Sequence, residues 1–336
     1  MRKDSSQAST KSWQSIIAKY NKPVLSKSIW QIINSVGIYL LLWVIMVQTL
    51  KFSFWLTLPL IILSAGFLIR VFIIFHDCGH GSFFKSKKLN VIVGKFCGIL
   101  AFTPYHRWTD NHRAHHKTVG NLDKRGMGDI WTLTVDEYLE MSRWQRLTYR
   151  LFRHPVFLIL LGGPVSFLVL NRFTNSKMTR KQKINVHFTN LVILVAIGVV
   201  SWWIGWQAFL LIQLPVMYIA SVGGIYLFYL QHQYDDVIWC RSETWDYQKL
   251  ALHGSSFFKL PALLRWFTGS IGFHHVHHLG PTIPNYLLMK CHEENEIFHE
   301  IKPITLFKSL HSLKLRLWDE KQQQIVTFRE LKVIGK

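Results

Sequence analysis

The chain has 336 residues, 49% of them hydrophobic, and carries 39 Lys plus Arg against 19 Asp plus Glu, a formal net charge of +20. Only 17% of residues are charged, below the roughly 25% of soluble domains, and the apolar residues lie in blocks long enough to cross a bilayer. That distribution argues against a soluble protein. The absence of a nucleic-acid-binding motif and the spread of basic residues over several loops argue against nucleic acid as the reason for the charge.

Residues 1–28 open with a polar stretch, MRKDSSQASTKSWQ, which reads as a loose cytosolic segment. A bilayer span needs about 20 mostly apolar residues. Residues 29–50 and 54–75 meet that length and are parted only by Lys51, Phe52 and Ser53, so 29–75 reads as a transmembrane hairpin. The first block is too long for a signal peptide, and no small-residue cleavage pattern follows it. Residues 76–187 form a cytosolic and interfacial region with two weaker apolar blocks. One, 91–102, is short for a span. The other, 156–170, contains Gly162, Gly163 and Pro164 and reads as re-entrant or interfacial. Residues 188–203 and 208–230 make a second hairpin, 188–230. Residues 231–336 read as a cytosolic cap that Pro261, Pro281, Pro284 and Pro303 break into short elements. The expected architecture is all-α and integral to the membrane: four transmembrane helices in two hairpins, interfacial helices and a helical cap.

Loop charge sets the orientation. Six Lys or Arg lie in 1–28, thirteen in 76–153, five in 171–186 and thirteen from 231 onward, whereas the hairpin turns hold only Lys51. Basic loops stay cytoplasmic, so both termini and both large loops are expected on the cytosolic face of a multi-pass plasma-membrane protein. Such a face also suits anionic headgroups and an acidic soluble partner. Cys78, Cys97, Cys240 and Cys291 form no CxxC pair and suggest no disulfide framework. Cys78 reads as a small buried side chain rather than a ligand.

The 17 histidines cluster. HDCGH places His76 and His80 four apart. HRAHH places His112, His115 and His116 at i, i+3 and i+4, and HHVHH repeats that pattern with His274, His277 and His278, adding His275. Positions three and four apart share a helix face, so each cluster can direct several imidazoles toward one point. Zinc, copper, iron and nickel all accept imidazole nitrogen. Eight imidazoles exceed what one tetrahedral zinc needs and suit two metals with open positions. The hairpin topology returns all three clusters to one membrane face.

HxxxH, HxxHH and HxxHH in this order resemble the three histidine boxes of the integral-membrane fatty acid desaturases, over about residues 54–286. FHDCGHGSFF, NLDKRGMGDIW, WFTGSIGFHHVHHLGPTIPNY and SLKLRLWDE are similar to the Gram-positive bacterial acyl-lipid Δ5 desaturases. The resemblance implies a di-iron enzyme that inserts a cis double bond into saturated acyl chains of membrane phospholipids, using O2 and two electrons, as a response to cold. It makes His76 and His80, then His112, His115 and His116, then His274, His277 and His278 metal ligands. The family supplies one more imidazole from the last span, for which His232 in FYLQHQYDD is the candidate. The chain has no HPGG haem motif and no flavin or nicotinamide fingerprint, so the electrons come from a partner; the resemblance implies ferredoxin or flavodoxin. The oligomeric state is left open.

The neighbouring residues carry further expectations. His275 faces off the stripe and reads as an outer support for a ligand. His106, His154, His187, His253, His292, His299 and His311 read as isolated surface or interfacial histidines. Asp77, Asp110, Asp123, Asp129, Asp235 and Asp236 could orient imidazoles, although caps and ordinary salt bridges are favoured for any one of them. Trp108, Trp131 and Trp239 are candidates for an acyl channel, and Trp202, Trp203 and Trp206 for an interfacial belt. Arg70 either snorkels to the interface or pairs with an acidic residue near the metals. The same boxes would serve a membrane hydroxylase or ketolase. A metal-handling membrane protein would need ionisable residues at mid-span depth, and the spans are almost free of them.

Overall fold

The computed structural model describes residues 5–126 and 128–334. Four helices are long and apolar enough to cross a membrane: Leu25–Leu50, Phe54–His80, Arg180–Ile204 and Trp206–His232. They form the two expected hairpins. Each helix has a local reason to begin. The Ser53 hydroxyl caps the second span by accepting from the Trp55 amide at 3.1 Å, satisfying a donor the helix leaves free. Thr179 and Gln182 form a reciprocal capping box at the start of the third. The second span ends at Gly81, whose φ of 73° takes the left-handed conformation that closes helices.

The hairpin turns lie at one end of the bundle, and the carboxyl ends of the second and fourth spans lie at the other. His76, His80 and His232 are carried by those two carboxyl ends. The second and fourth spans pack on each other and bury Ile61, Ala65, Val71, Ile212 and Val216. The outward faces remain apolar and open, with Trp202 89% and Trp203 79% exposed at the second hairpin turn, as expected for surfaces that meet lipid and its interface.

The 156–170 block is a broken helix. Val156–Arg172 is bent by 61° from Arg143–Phe152 and contains two π-helical stretches around Gly162–Pro164. Gly163 allows it to lie against the fourth span, since a Cβ there would stand 2.5 Å from the Ser221 carbonyl oxygen. The 91–102 block falls in the helix Lys87–Leu100.

The cap is mainly short helices, with a small sheet that periodicity did not reveal. Leu133–Thr134 runs parallel to Leu315–Asp319, which pairs antiparallel with Gln324–Thr327. The sheet joins the loop after the second histidine cluster to the end of the chain, and buries Leu317 and Trp318 completely. The amino-terminal stretch is not loose where it is described: Ser5–Tyr20 is helix, and Lys19 meets Glu294 at 3.3 Å. Residues 1–4 lie outside the described residues.

Arg70 takes neither expected course. It stays buried, its Nε donates to Ser35 Oγ at 2.9 Å, Nη1 donates to the Trp266 carbonyl, and its guanidinium lies 3.9 Å from the Trp266 ring centroid. It fastens the first span and the cap segment Ala262–Phe267 to the second span. Replacing Arg70 with Met removes both hydrogen bonds and leaves Ser35 Oγ without a donor, while the Trp266 carbonyl keeps the Gly269 amide. It is expected to cost about 2 kcal/mol, read as a lower midpoint in detergent thermal unfolding.

Candidate metal centre

Two helices meet the carboxyl ends of the second and fourth spans. The helix Tyr105–Thr118 carries His112, His115 and His116. The short helix His274–Leu279 carries His274, His277 and His278. The spans contribute His76, His80 and His232. All nine come together in two groups: His76, His80, His112, His116 and His277 form one, and His115, His232, His274 and His278 the other. Within each group the possible ligand atoms lie within 4.8 Å of one another.

Each HxxHH helix serves both groups. His112 and His116, four apart, face the first group while His115 faces the second; His274 and His278 face the second while His277 faces the first. Consecutive helical residues diverge by about 100°, so the i+3 and i+4 imidazoles point to either side of the helix. The doubled histidine is what lets one helix edge serve two sites.

The nitrogens lie at the spacing of ligands that share one cation. His112 Nε2 lies 3.0 Å from His76 Nε2 and 3.1 Å from His116 Nε2, which lies 3.1 Å from His277 Nε2. In the second group, His232 Nε2 lies 3.0 Å from both His115 Nε2 and His274 Nε2. The His232 Nδ1–H donates to the Gly254 carbonyl at 2.9 Å, and the His115 Nδ1–H donates to Asp129 Oδ1 at 2.5 Å. In a neutral imidazole a protonated Nδ1 leaves Nε2 as a bare lone pair. Two lone pairs therefore face each other at 3.0 Å in a buried pocket. Ligands about 2.1 Å from a metal and at right angles to each other stand roughly 3 Å apart, so the spacing fits cis positions around one ion. His80 Nε2 is buried with no hydrogen-bond partner, again as a ligand nitrogen would be. Burial first, then neighbouring imidazoles, hold His112, His116, His274, His277 and His278 well below the usual histidine value, which keeps them neutral and able to bind metal.

The outer supports include two of the six acids, against the ordinary roles favoured from sequence. The His76 Nδ1–H donates to Asp77 Oδ1 at 3.1 Å, while Asp77 Oδ2 accepts from the Asn285 backbone amide at 2.7 Å and from its side chain at 2.8 Å. Asp129 holds His115. The other four have ordinary roles: Asp110 accepts from Gln182, Asp123 from Arg241 and Ser242, and Asp235 and Asp236 meet His311 and Lys302. Asn285 and Gly254 gave no sequence signal, because a backbone carbonyl or a lone amide carries no motif. His275 lies outside both groups. It donates through Nδ1 to the Ser256 carbonyl at 3.3 Å and accepts from His292 Nδ1 at 3.0 Å, so His292 is not isolated. Cys78 is buried in the core and belongs to neither group.

A cavity of about 340 Å³ runs from this centre between the second and fourth spans. His76, His112 and His274 edge one end; Leu68, Phe72, Met217 and Ile225 line its apolar length. Of the three candidate tryptophans only Trp108 lines it, stacked on His112 with ring centroids 4.3 Å apart. Trp131 packs on Tyr149 and Phe152, and Trp239 lies in a separate core by the cap.

The fatty acid desaturase family model matches residues 53–303, a stretch that contains every histidine of both groups. The chain belongs to the fatty acid desaturase family. Desaturases are oxidoreductases, and a buried, histidine-rich centre at the head of an apolar cavity accords with that class. The chain is 46% identical over 318 residues to a fatty acid desaturase of Bacillus subtilis, covering 95% of this chain and 90% of that one. It is 31% identical to an sn-1 acyl-lipid omega-3 desaturase (ferredoxin) of Nostoc sp., over 76% of this chain and 73% of that one. A Synechocystis protein of the same description is 29% identical, over 74% and 68%.

Asp129→Asn weakens the acceptor that fixes the His115 tautomer. It is expected to lower metal affinity at the second group by roughly 10–100-fold while the first group keeps its metal. Metal per chain, measured by elemental analysis across a chelator series, checks this.

Proposed function

We propose that this desaturase acts on acyl chains of membrane phospholipids and introduces a cis double bond at Δ5, adjusting membrane fluidity in the cold. Two irons would be held by the nine imidazoles, one by His76, His80, His112, His116 and His277, the other by His115, His232, His274 and His278. The observation that carries the reading is the pair of lone-pair-rich imidazole groups at the end of an apolar cavity lying between spans. Ferredoxin-dependent acyl-lipid desaturases among the relatives support the lipid substrate and the type of donor.

Bound iron would supply the oxygen chemistry by which O2, two electrons and two protons convert two adjacent methylenes to an alkene and two waters. The chain's own residues do the rest. The apolar cavity takes the acyl chain and excludes water, and Phe72 and Trp108 wall the segment beside His76 and His112. Asp77, Asp129 and the Gly254 carbonyl hold three imidazoles in the tautomer that offers Nε2. Neutral imidazoles leave the metals' charge uncompensated, unlike the carboxylates of soluble di-iron bundles, and so favour a strong oxidant. Ferredoxin or flavodoxin delivers the electrons to the basic cytosolic face of the plasma membrane, where both termini and the histidine boxes lie.

Expression in a host lacking desaturases, followed by mass spectrometry of its lipids with the double bond located, is expected to give Δ5 monounsaturated phospholipids, and a His112→Ala strain none. Two irons per chain are expected after mild purification. An alcohol product, or a stoichiometric zinc-only protein, would overturn the reading; an alkene at another carbon would overturn Δ5 alone.

The cavity makes its own prediction. Gly224 lies eight residues before His232, about 12 Å along the helix, and a Cβ there would meet nothing within 4 Å. Gly224→Leu is expected to fold with an unchanged melting temperature and to cut turnover of long acyl chains at least about tenfold, since a filled pocket rejects what a close fit required. Product chain-length profiles read the effect.

A further inference from the structure

A second cleft, of about 490 Å³, opens at the membrane edge between the helices Lys87–Leu100, Tyr105–Thr118 and Arg180–Ile204. It shares no lining residue with the acyl cavity. Its polar wall is Lys95, His106, Arg180, Lys181 and Asn185; its apolar wall is Ile184 and Phe188, which are 57% and 50% exposed.

The cations are uncompensated. No salt bridge among the described residues involves Lys95, Arg180 or Lys181. The carboxylate nearest in effect, Asp110, is engaged by Gln182 at 2.9 Å and Arg113 at 3.9 Å. Burial, and then the fields of Lys181 and Lys95, push His106 below its ordinary value. A second feature faces the same space. Asn185 is 5% exposed, and its Oδ1 accepts from the His106 backbone amide at 2.8 Å. Its side-chain NH2 has no acceptor among the described residues.

Depth selects the ligand. Arg180 begins a bilayer-crossing helix, which places its guanidinium at headgroup level. Ile184 and Phe188 follow one and two turns further in, where acyl chains lie. A free anion would leave those two side chains unused; a lipid satisfies both walls. We infer that this cleft binds one anionic glycerophospholipid, its phosphodiester against Lys95, Arg180, Lys181 and the Asn185 amide, and its chains along Ile184 and Phe188. The lipid clamps the start of the Tyr105–Thr118 helix to the third span and so steadies the element that carries His112, His115 and His116. It is separate from the lipid proposed as substrate, and binding is measured without turnover.

Native mass spectrometry of the full chain in detergent, titrated with phosphatidylglycerol, phosphatidylcholine or inorganic phosphate, tests it. The chain is expected to retain one phosphatidylglycerol, to retain no phosphatidylcholine, and to keep its lipid in millimolar phosphate. Lys95→Gln, Arg180→Gln and Lys181→Gln together are expected to weaken retention at least about tenfold, while the exposed triple Lys85→Gln, Lys87→Gln and Lys88→Gln leaves it unchanged. The single Lys181→Glu, at an exposed position, is expected to weaken it too, with thermal unfolding unchanged. Equal loss in both triples would mean diffuse surface charge and overturn the site. Equal retention of phosphatidylcholine, displacement by phosphate, or full retention by Lys181→Glu would overturn it as well.

Discussion

Repulsion between imidazole lone pairs is the constraint on which the rest of the structure depends. Nine histidines converge where burial denies them water, and hydrogen bonds at Nδ1 of His76, His115 and His232 turn their Nε2 atoms inward. Without a cation, each 3.0 Å nitrogen pair without a proton between them would be unfavourable, because neither atom can donate. A metal bound there would couple its binding to folding, and the fold must supply restraint from outside the groups. The bundle does so by tying the histidine helices to elements distant in sequence.

The clearest such tie runs through Asp77. One carboxylate oxygen accepts from His76 and the other from Asn285, whose side chain in turn exchanges hydrogen bonds with Gln31 at 3.1 and 3.2 Å. One buried chain of polar groups thus links the first span, the second span and the cap behind the third histidine cluster. Arg70 makes a parallel link about two turns lower, joining Ser35 and Trp266. Both place costly polar groups among apolar neighbours, and both are satisfied. Such networks fix one arrangement against slippage of helices that are otherwise held by nearly uniform apolar contacts.

How much of this was legible in the sequence follows from the range of each interaction. The spans were readable because bilayer thickness fixes their length, and eight of the histidines because helical spacing repeats within a few residues; His232 came only through the family resemblance. Their division into two groups was not, since it depends on which side of each helix meets the spans. Asp77 and Asp129 were visible only as candidates among six acids, because a carboxylate beside a histidine has no distinctive spacing when it lies one or fourteen residues away. The three-stranded sheet escaped for a related reason: strands of two to five residues carry too little alternation, and their pairing joins residues 133–134 to 315–319. Arg70 was conspicuous as a charge inside a span, yet its partners are a hydroxyl and a carbonyl rather than the acid that charge alone suggests.

The two groups also differ in their relation to the cavity, and the difference follows from helix geometry. His76 and His112 of the five-membered group edge the apolar space, whereas the four-membered group is wholly buried and reaches the cavity through His274. His80 and His112 are half-buried, and all four members of the second group are buried. A centre built this way is open on one side and closed on the other. Chemistry on a hydrocarbon chain needs the open side. The HxxHH helices make the two-group arrangement possible, because His116 and His277 face the five-membered group while the adjacent His115 and His278 face the other.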